Sequence, residues 1–230
     1  HTDDNVFVLD FKGENHAQTA DAQRRMGKEV RLIDPCGVTG KPSDRLDPIG
    51  HLRPDSEFLV DQAGALASSI IVSDRETKER YFDDTAANFL KAAIVHTVAH
   101  APPEYRSFET AVELATSEAR LMQTAVDLCN TRSREFQRIG AELLNHKGKE
   151  LASSLSVAAR HLQCFQSAAV LKVLNNPTFD PATFCNGRIA CYLALPIEMQ
   201  RSHAGLIRAV TSAITSAIAR GGIRNRRKTW

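Results

Sequence analysis

A chain of 230 residues, 43% hydrophobic and 24% charged, suits one large globular domain or two small ones. A formal net charge of +2 is too small to argue for a nucleic-acid partner, and no run of about 18 apolar residues marks a membrane span. The five cysteines form no Cys-x-x-Cys pair and no regular framework, so they read as reduced thiols of a cytosolic protein, and no targeting peptide is visible.

The first predicted strand is Val6–Phe7–Val8–Leu9–Asp10, running into the charged turn Phe11–Lys12–Gly13–Glu14. An amphipathic helix over 15–26 and a second apolar run over 30–35 follow. Strand, turn, helix, strand is the repeating unit of a parallel sheet. Its charged turn sits at the carboxyl end of the strand, the edge at which such sheets bind ligands. A loop containing Gly37, Gly40, Pro42, Asp44, Asp47, Pro48, Gly50 and Pro54 punctuates the end of this unit.

From 55 to 176 the pattern is helical. Leu59, Ala63, Leu66, Ala67 and Ile70 recur at helical spacing, as do Phe82, Ala86, Phe89, Leu90, Ala93, Ile94 and Val98. Pro102–Pro103 stops the second of these, because proline has no amide donor and clashes with the preceding turn. Ser107 is a good N-cap for a helix predicted to reach about Cys129. Phe136, Ile139, Leu143 and Leu144 mark another, and the apolar positions from Leu151 to Ala169 trace one long last helix. The expectation is a bundle of four or five helices.

The α/β character returns after the turn Asn186–Gly187. Residues 188–195 are a nearly continuous apolar run, as expected of a strand covered on both faces. Pro196 ends it, an amphipathic helix is predicted over 198–220, Gly221–Gly222 closes that helix, and 223–230 has no periodicity. A helical block between two α/β pieces reads as an insertion. The expected organisation is a sheet-bearing part over 1–54, an all-α domain over 55–184, a return to the sheet over 185–222 and a basic irregular tail over 223–230.

Asp10, Lys12 and Glu14 are the leading site candidates, since carboxylates at a strand end can position water or magnesium beside a phosphoryl group. The competing reading makes Asp10 a cap of the next helix and Lys12 a solvated turn residue. Gly37–Val38–Thr39–Gly40–Lys41–Pro42–Ser43 imitates a phosphate loop, but its glycines are too close together and Pro42 stands where the magnesium-binding hydroxyl belongs. His161 and Cys164 lie at i, i+3, yet two ligands fall short of a structural zinc site. His96 and His100 lack the glutamate of a zinc protease motif and read as helix-end residues near the negative dipole. No Gly-x-Ser-x-Gly elbow occurs. Arg132, Arg134, Arg138, Lys147 and Lys149 could track a phosphate backbone or meet a protein substrate; Glu135, Glu142 and Glu150 interleave with them, so a solvated helix face explains them too.

The stretch Leu9–Asp10–Phe11–Lys12–Gly13–Glu14–Asn15 is similar to a Leu-Asp-x-Lys-Gly-Glu segment of the TraG/TraD-type coupling proteins of type IV secretion. Thr19–Ala20, Arg24–Arg25–Met26–Gly27 and Val30 onward fit the helix and strand that follow in that family. Phe82–Asp83–Asp84–Thr85–Ala86, Lys147–Gly148–Lys149–Glu150 and Tyr192–Leu193–Ala194–Leu195–Pro196 resemble its later segments, in the same order. The resemblance implies a partial RecA-like P-loop NTPase domain, with a parallel sheet, carrying an inserted all-α helical bundle. It also implies ATP and Mg as cofactors, a homo-hexameric ring at the cytoplasmic face of the bacterial inner membrane, and delivery of DNA or nucleoprotein substrate to secretion-channel components. The family's Walker A loop lies upstream of the first strand, and its Walker B strand would follow the helix ending near Arg220. Neither motif is expected within 1–230, and no hydrolysis is expected from this chain by itself. The second expectation is a non-enzymatic helical module that recognises protein or DNA, or an inactive relic of such an ATPase.

Overall fold

The computed structural model describes residues 4–73 and 78–221. The basic tail expected over 223–230, and Gly222, lie outside the described residues. The chain divides into two compact units, one built from 4–51 with 167–221 and the other from 52–166.

The first unit holds a three-stranded parallel sheet of β1 (Val6–Asp10), β2 (Glu29–Ile33) and β3 (Ile189–Ala194), in the order β1-β3-β2. The two ends of the sequence therefore meet in one sheet, with Val8 opposite Tyr192 and Leu9 opposite Leu193. The continuous apolar run is the middle strand, and all six of its residues are buried. Paired strands place Val6, Val8, Val30, Leu32, Ala190, Tyr192 and Ala194 on one face, where they form an apolar cluster with Val38. Helix α1 (Glu14–Arg25) connects β1 to β2. Tyr192 is fully buried, and its hydroxyl is hydrogen-bonded to Thr19 of α1 at 2.7 Å. The largest side chain of the sheet thus keeps its polar tip paired.

Two further helices belong to this unit, α8 (Ala168–Leu174) and α9 (Ala204–Gly221). Leu206, Ala209, Val210, Ala213, Ile214 and Ala217 form the buried stripe of α9, within the span the periodicity marks. The segment 167–184, read from sequence as the end of the helical block, belongs to the sheet-bearing unit. Leu46 donates its amide to Val173 at 2.8 Å, Thr178 donates to Arg45 at 2.9 Å, and the Asn5 side chain donates to Phe184 at 2.6 Å.

The second unit contains α2 (Leu59–Ile70), α3 (Lys78–His100), α4 (Phe108–Thr116), α5 (Glu118–Cys129), α6 (Arg134–Asn145) and α7 (Gly148–Leu162). Helix α3 is its hub and packs against each of the other five. Ala86, Phe89, Leu90, Ala93, Ile94 and Val98 have no exposed surface, which is why the helix reads as apolar nearly all round. Asp83, buried to 4% exposure, accepts from His161 of α7 at 2.9 Å and lies 3.5 Å from Arg160. Burial pushes its carboxyl up, but hydrogen bonds from His161 and Ser73 outweigh that, and the group sits below the usual carboxylate range.

Two predicted helices break. The helix expected over 107–129 keeps its Ser107 cap, whose Oγ accepts from the Thr110 amide at 3.2 Å, but Ser117 is extended and separates α4 from α5. The long last helix ends at Leu162; a 3₁₀ turn over Gln163–Gln166 and the extended Ser167 precede α8.

Candidate functional site

The charged turn after β1 is shaped by its own backbone needs. Helix α1 begins at Glu14, and the first amides of any helix lack intrahelical partners. The Asp10 carboxylate, 1% exposed, supplies one: Oδ2 accepts from the His16 amide at 2.8 Å, while Oδ1 accepts from Asn15 Nδ2 at 3.4 Å. A negative charge at a helix N-terminus is also favoured by the macrodipole. Gly13 makes the turn with φ of 72°, and a Cβ there would lie 2.9 Å from Thr39 Cγ2, so both conformation and space demand glycine. Of the three residues singled out in this turn, Asp10 faces inward as a cap, and Lys12 and Glu14 are exposed.

The loop after β2 approaches the same turn through Thr39. Asp34 organises it: its carboxylate accepts from the amides of Val38 at 2.9 Å and Thr39 at 2.8 Å, and from the Thr39 hydroxyl at 2.7 Å. Gly37 and Gly40 take positive φ, as in anion-binding nests, but the anion here is an internal carboxylate. The amides that could cradle a phosphate are thus committed, a physical reason beyond spacing why residues 37–43 make no phosphate loop. Lys12 and Glu14 are exposed on this turn, and the described residues do not form a phosphate cradle.

Further along the same loop, Asp44 accepts from Arg31 Nη1 and the Leu32 amide, each at 3.0 Å, and from the Thr178 hydroxyl at 2.9 Å. Arg31 in turn lies over the Phe179 ring, 5.2 Å from its centroid. Sequence reasoning treated Asp44 as loop punctuation and missed Asp34 altogether. The available signal was an Asp directly after a strand followed by Thr and two glycines, a side chain able to fold the loop onto itself.

In the helical unit, Arg132, Arg134, Arg138, Lys147 and Lys149 are all exposed: Arg134 and Arg138 on α6, Arg132 and Lys147 on the turns that flank it, and Lys149 in the first turn of α7. The interleaved acids are partly occupied elsewhere: Glu142 accepts from Asn88, and Glu150 is paired with His146 and Tyr81. No ion pair involves the five basic residues among the described residues.

The remaining motifs resolve as structure. His161 is spent on Asp83, and Cys164 is buried. His96 meets Asp127 at 3.1 Å, with the His100 ring 5.5 Å away. Burial, then the neighbouring His96, holds His100 below the ordinary imidazole range. Among the described residues no three His, Cys, Asp or Glu side chains are gathered so as to hold a metal ion. None of the five cysteines is in a disulfide, and burial pushes the Cys191 thiol far up, which leaves it inert. No helix of the described residues is long and apolar enough to cross a membrane.

Comparison with known proteins agrees with this architecture. The plasmid coupling protein TrwB, solved with the non-hydrolysable GTP analogue GDPNP, superposes with a TM-score of 0.52 at 13% identity, over 97% of this chain and 54% of that one. The bacterial conjugative coupling protein TrwBdeltaN70 matches equally in two crystal forms. Its unbound monoclinic form gives 0.52 at 12% identity over 93% of this chain and 50% of that one. Its trigonal form with sulphate gives 0.52 at 13% over 93% and 51%. The chain spans about half the length of these solved structures. No curated protein matches it. The family described as Type IV secretory system Conjugative DNA transfer matches residues 1–228, and the chain belongs to that family of conjugative coupling proteins.

Proposed function

We propose that these residues are part of a conjugative coupling ATPase, which uses ATP turnover to deliver DNA or nucleoprotein substrate to the secretion channel. The observation that carries this reading is the family match across residues 1–228. In the assembled protein, a homo-hexamer at the cytoplasmic face of the inner membrane, ATP and Mg are held at the carboxyl ends of the strands. There Lys12 and Glu14 face the phosphates, and Asp10 acts as a positioning residue that fixes the start of α1. The TrwB complex with GDPNP supports a nucleotide in that protein. Because the amides of Val38 and Thr39 are engaged by Asp34, this reading gives the 230-residue chain by itself no ATP turnover. An ATPase assay with single-stranded DNA checks it, and turnover above a mock preparation rejects it.

A second reading rests on the exposed basic residues of the helical unit, which would contact DNA, or the protein cargo, without nucleotide. Fluorescence anisotropy with a single-stranded oligonucleotide at low and high salt separates the two. Contact through Arg134 and Arg138 predicts that the double charge reversal Arg134→Glu with Arg138→Glu flattens the log–log salt slope by more than about 1.4, the share of two phosphate contacts on single strands. An unchanged slope removes these residues from the interface.

A further inference from the structure

In the helical unit, an open cleft of about 500 Å³ lies where α3 ends at His100 and α5 ends at Cys129. His96, His100, Tyr105, Asp127 and Asn130 are among the residues that line it. A helix end presents carbonyl groups and partial negative charge, so two such ends side by side favour a cation. His96 and His100 stand one turn apart on α3, and their ring centroids are 5.5 Å apart. Two imidazoles on one ion, with metal–nitrogen bonds of about 2.0–2.1 Å and an angle of about 90–120° between them, hold their centroids about 4.5–5.5 Å apart. The pair is therefore at chelating distance with the backbone as it stands.

The protonation of His96 is set by its neighbours. Its Nε2 lies 3.1 Å from Asp127 Oδ2, and Gln123 Nε2 donates to Oδ1 of the same carboxylate at 2.8 Å. An ionised carboxylate only accepts, so His96 Nε2 carries the proton and Nδ1 keeps its lone pair. That Nδ1 is buried and has no hydrogen-bond partner among the described residues. One ring nitrogen donating to a carboxylate while the other is unspent is the arrangement that orients metal-binding histidines. His100 is exposed, with the Phe136 ring edge-on to it at 6.2 Å. On the rim, Arg106 donates to the Ala101 carbonyl at 3.4 Å, so affinity here comes from ligation and not from net charge.

We infer that His96 and His100 chelate a late first-row divalent ion, Cu, Ni or Zn, with Asp127 as the positioning residue behind His96 and water in the remaining positions. Two protein ligands make this an open site, consistent with the absence of a three-residue metal cluster among the described residues. Imidazole nitrogen suits these ions, whereas Mg takes oxygen, so the site is independent of the nucleotide reading and of the basic residues on α6. Ni(II) is the probe, paramagnetic and not an oxidant of thiols. It is added to the 230-residue chain without a polyhistidine tag and with its amino terminus acetylated, since a free amine beside His1 would chelate too. Substoichiometric Ni(II) should broaden the ring proton resonances of His96 and His100 together, and before those of His146 and His161, whose rings are held by Glu150 and Asp83. Calorimetry should show binding that excess Mg does not displace. His100→Gln, at an exposed helix end, should weaken it at least about tenfold while the far-ultraviolet circular dichroism stays unchanged. Asp127→Asn, which keeps both imidazoles, should weaken it by about 10–100-fold, the usual cost of losing an outer-shell partner. Broadening that spares either ring, displacement by Mg, or an affinity indifferent to His100→Gln or to Asp127→Asn would each overturn the assignment.

Discussion

Asp44 satisfies three donors from two parts of the sheet-bearing unit: the amide of Leu32 and the guanidinium of Arg31, both in β2, and the hydroxyl of Thr178. The first of these lies on the edge of β2 away from β3, so the side chain closes part of a strand edge that could otherwise pair with another chain. Removing it leaves the Leu32 amide and Arg31 without this partner at once. Asp44→Ala should therefore cost about 2–4 kcal/mol, from hydrogen bonds to a charged group worth about 1.5–3 kcal/mol each and not fully additive. Urea unfolding measures the loss, and a change within about 0.5 kcal/mol, the ordinary surface value, would show that the bonds contribute nothing net. His16 gives the pH counterpart. Its ring is held below the usual imidazole range first by burial, then by Arg24, against the opposing pull of Asp10, Asp21 and Asp34. The unfolded ring takes up a proton near pH 6.5 that the native ring resists, so its contribution is complete above about pH 6.5 and fades as pH falls toward the native value. His100 titrates in the same direction, and the comparison must isolate one residue. Between neutral pH and about pH 5.5 the urea midpoint of the parent should fall further than that of His16→Gln; equal falls would mean that His16 is not the source. Neither residue role was legible in the sequence, where Asp44 is one more polar loop residue and His16 one more helical one. Both depend on partners that only folding brings within reach.

At the scale of elements, the sequence marks which segments are helical better than where they stop. The break between α4 and α5 carries no proline or glycine, and only the phase of the apolar residues betrays it. Phe108, Ala111, Val112 and Ala115 share one face, but the buried set then resumes at Leu121, Thr124, Ala125 and Leu128, out of step with the first. A continuous helix would have turned one of those sets to solvent. The α5–α6 hairpin adds a constraint that propensity argues against. Gly140 sits inside α6, where glycine costs roughly 1 kcal/mol relative to alanine. A Cβ at that position would come within 2.5 Å of the Ala125 carbonyl oxygen and 2.7 Å of Cys129 Sγ, too close for any real contact. The helices cross where one of them has no side chain, and the close approach outweighs the propensity loss. Gly140→Ala should destabilise the protein by about 1–3 kcal/mol, the usual penalty for overfilling a tight contact. A thermal melt that moved upward would show instead that helix propensity governs the site.

At the scale of the whole molecule, the two units are built on different principles. The sheet has three strands, and β1 and β2 pair only with β3 among the described residues. Each outer strand gains one ladder, and its outward amides depend on devices such as Asp44 and Ser43, the latter accepting from the Asp34 amide at 2.9 Å. The helical unit has no comparable edge. Helix α3 packs against five helices and its interior amides are bonded within the helix, and each fully buried Leu, Ile or Phe along it contributes roughly 1.5–3 kcal/mol. Local opening follows this difference, since a segment exchanges through the cheapest fluctuation that frees its amides. Native-state hydrogen exchange should find the slowest amides in α3, between Phe89 and Val98, while those of β1 and β2 exchange through smaller openings. A low concentration of urea should accelerate the strands before the helix. Asp44→Ala should widen the gap by speeding β2 alone, because its contacts all lie within the sheet-bearing unit. If β1 and β2 proved as protected as α3, the three strands would be behaving as a self-sufficient core. If Asp44→Ala slowed or left unchanged the exchange of β2 relative to α3, the edge would not be held by that carboxylate.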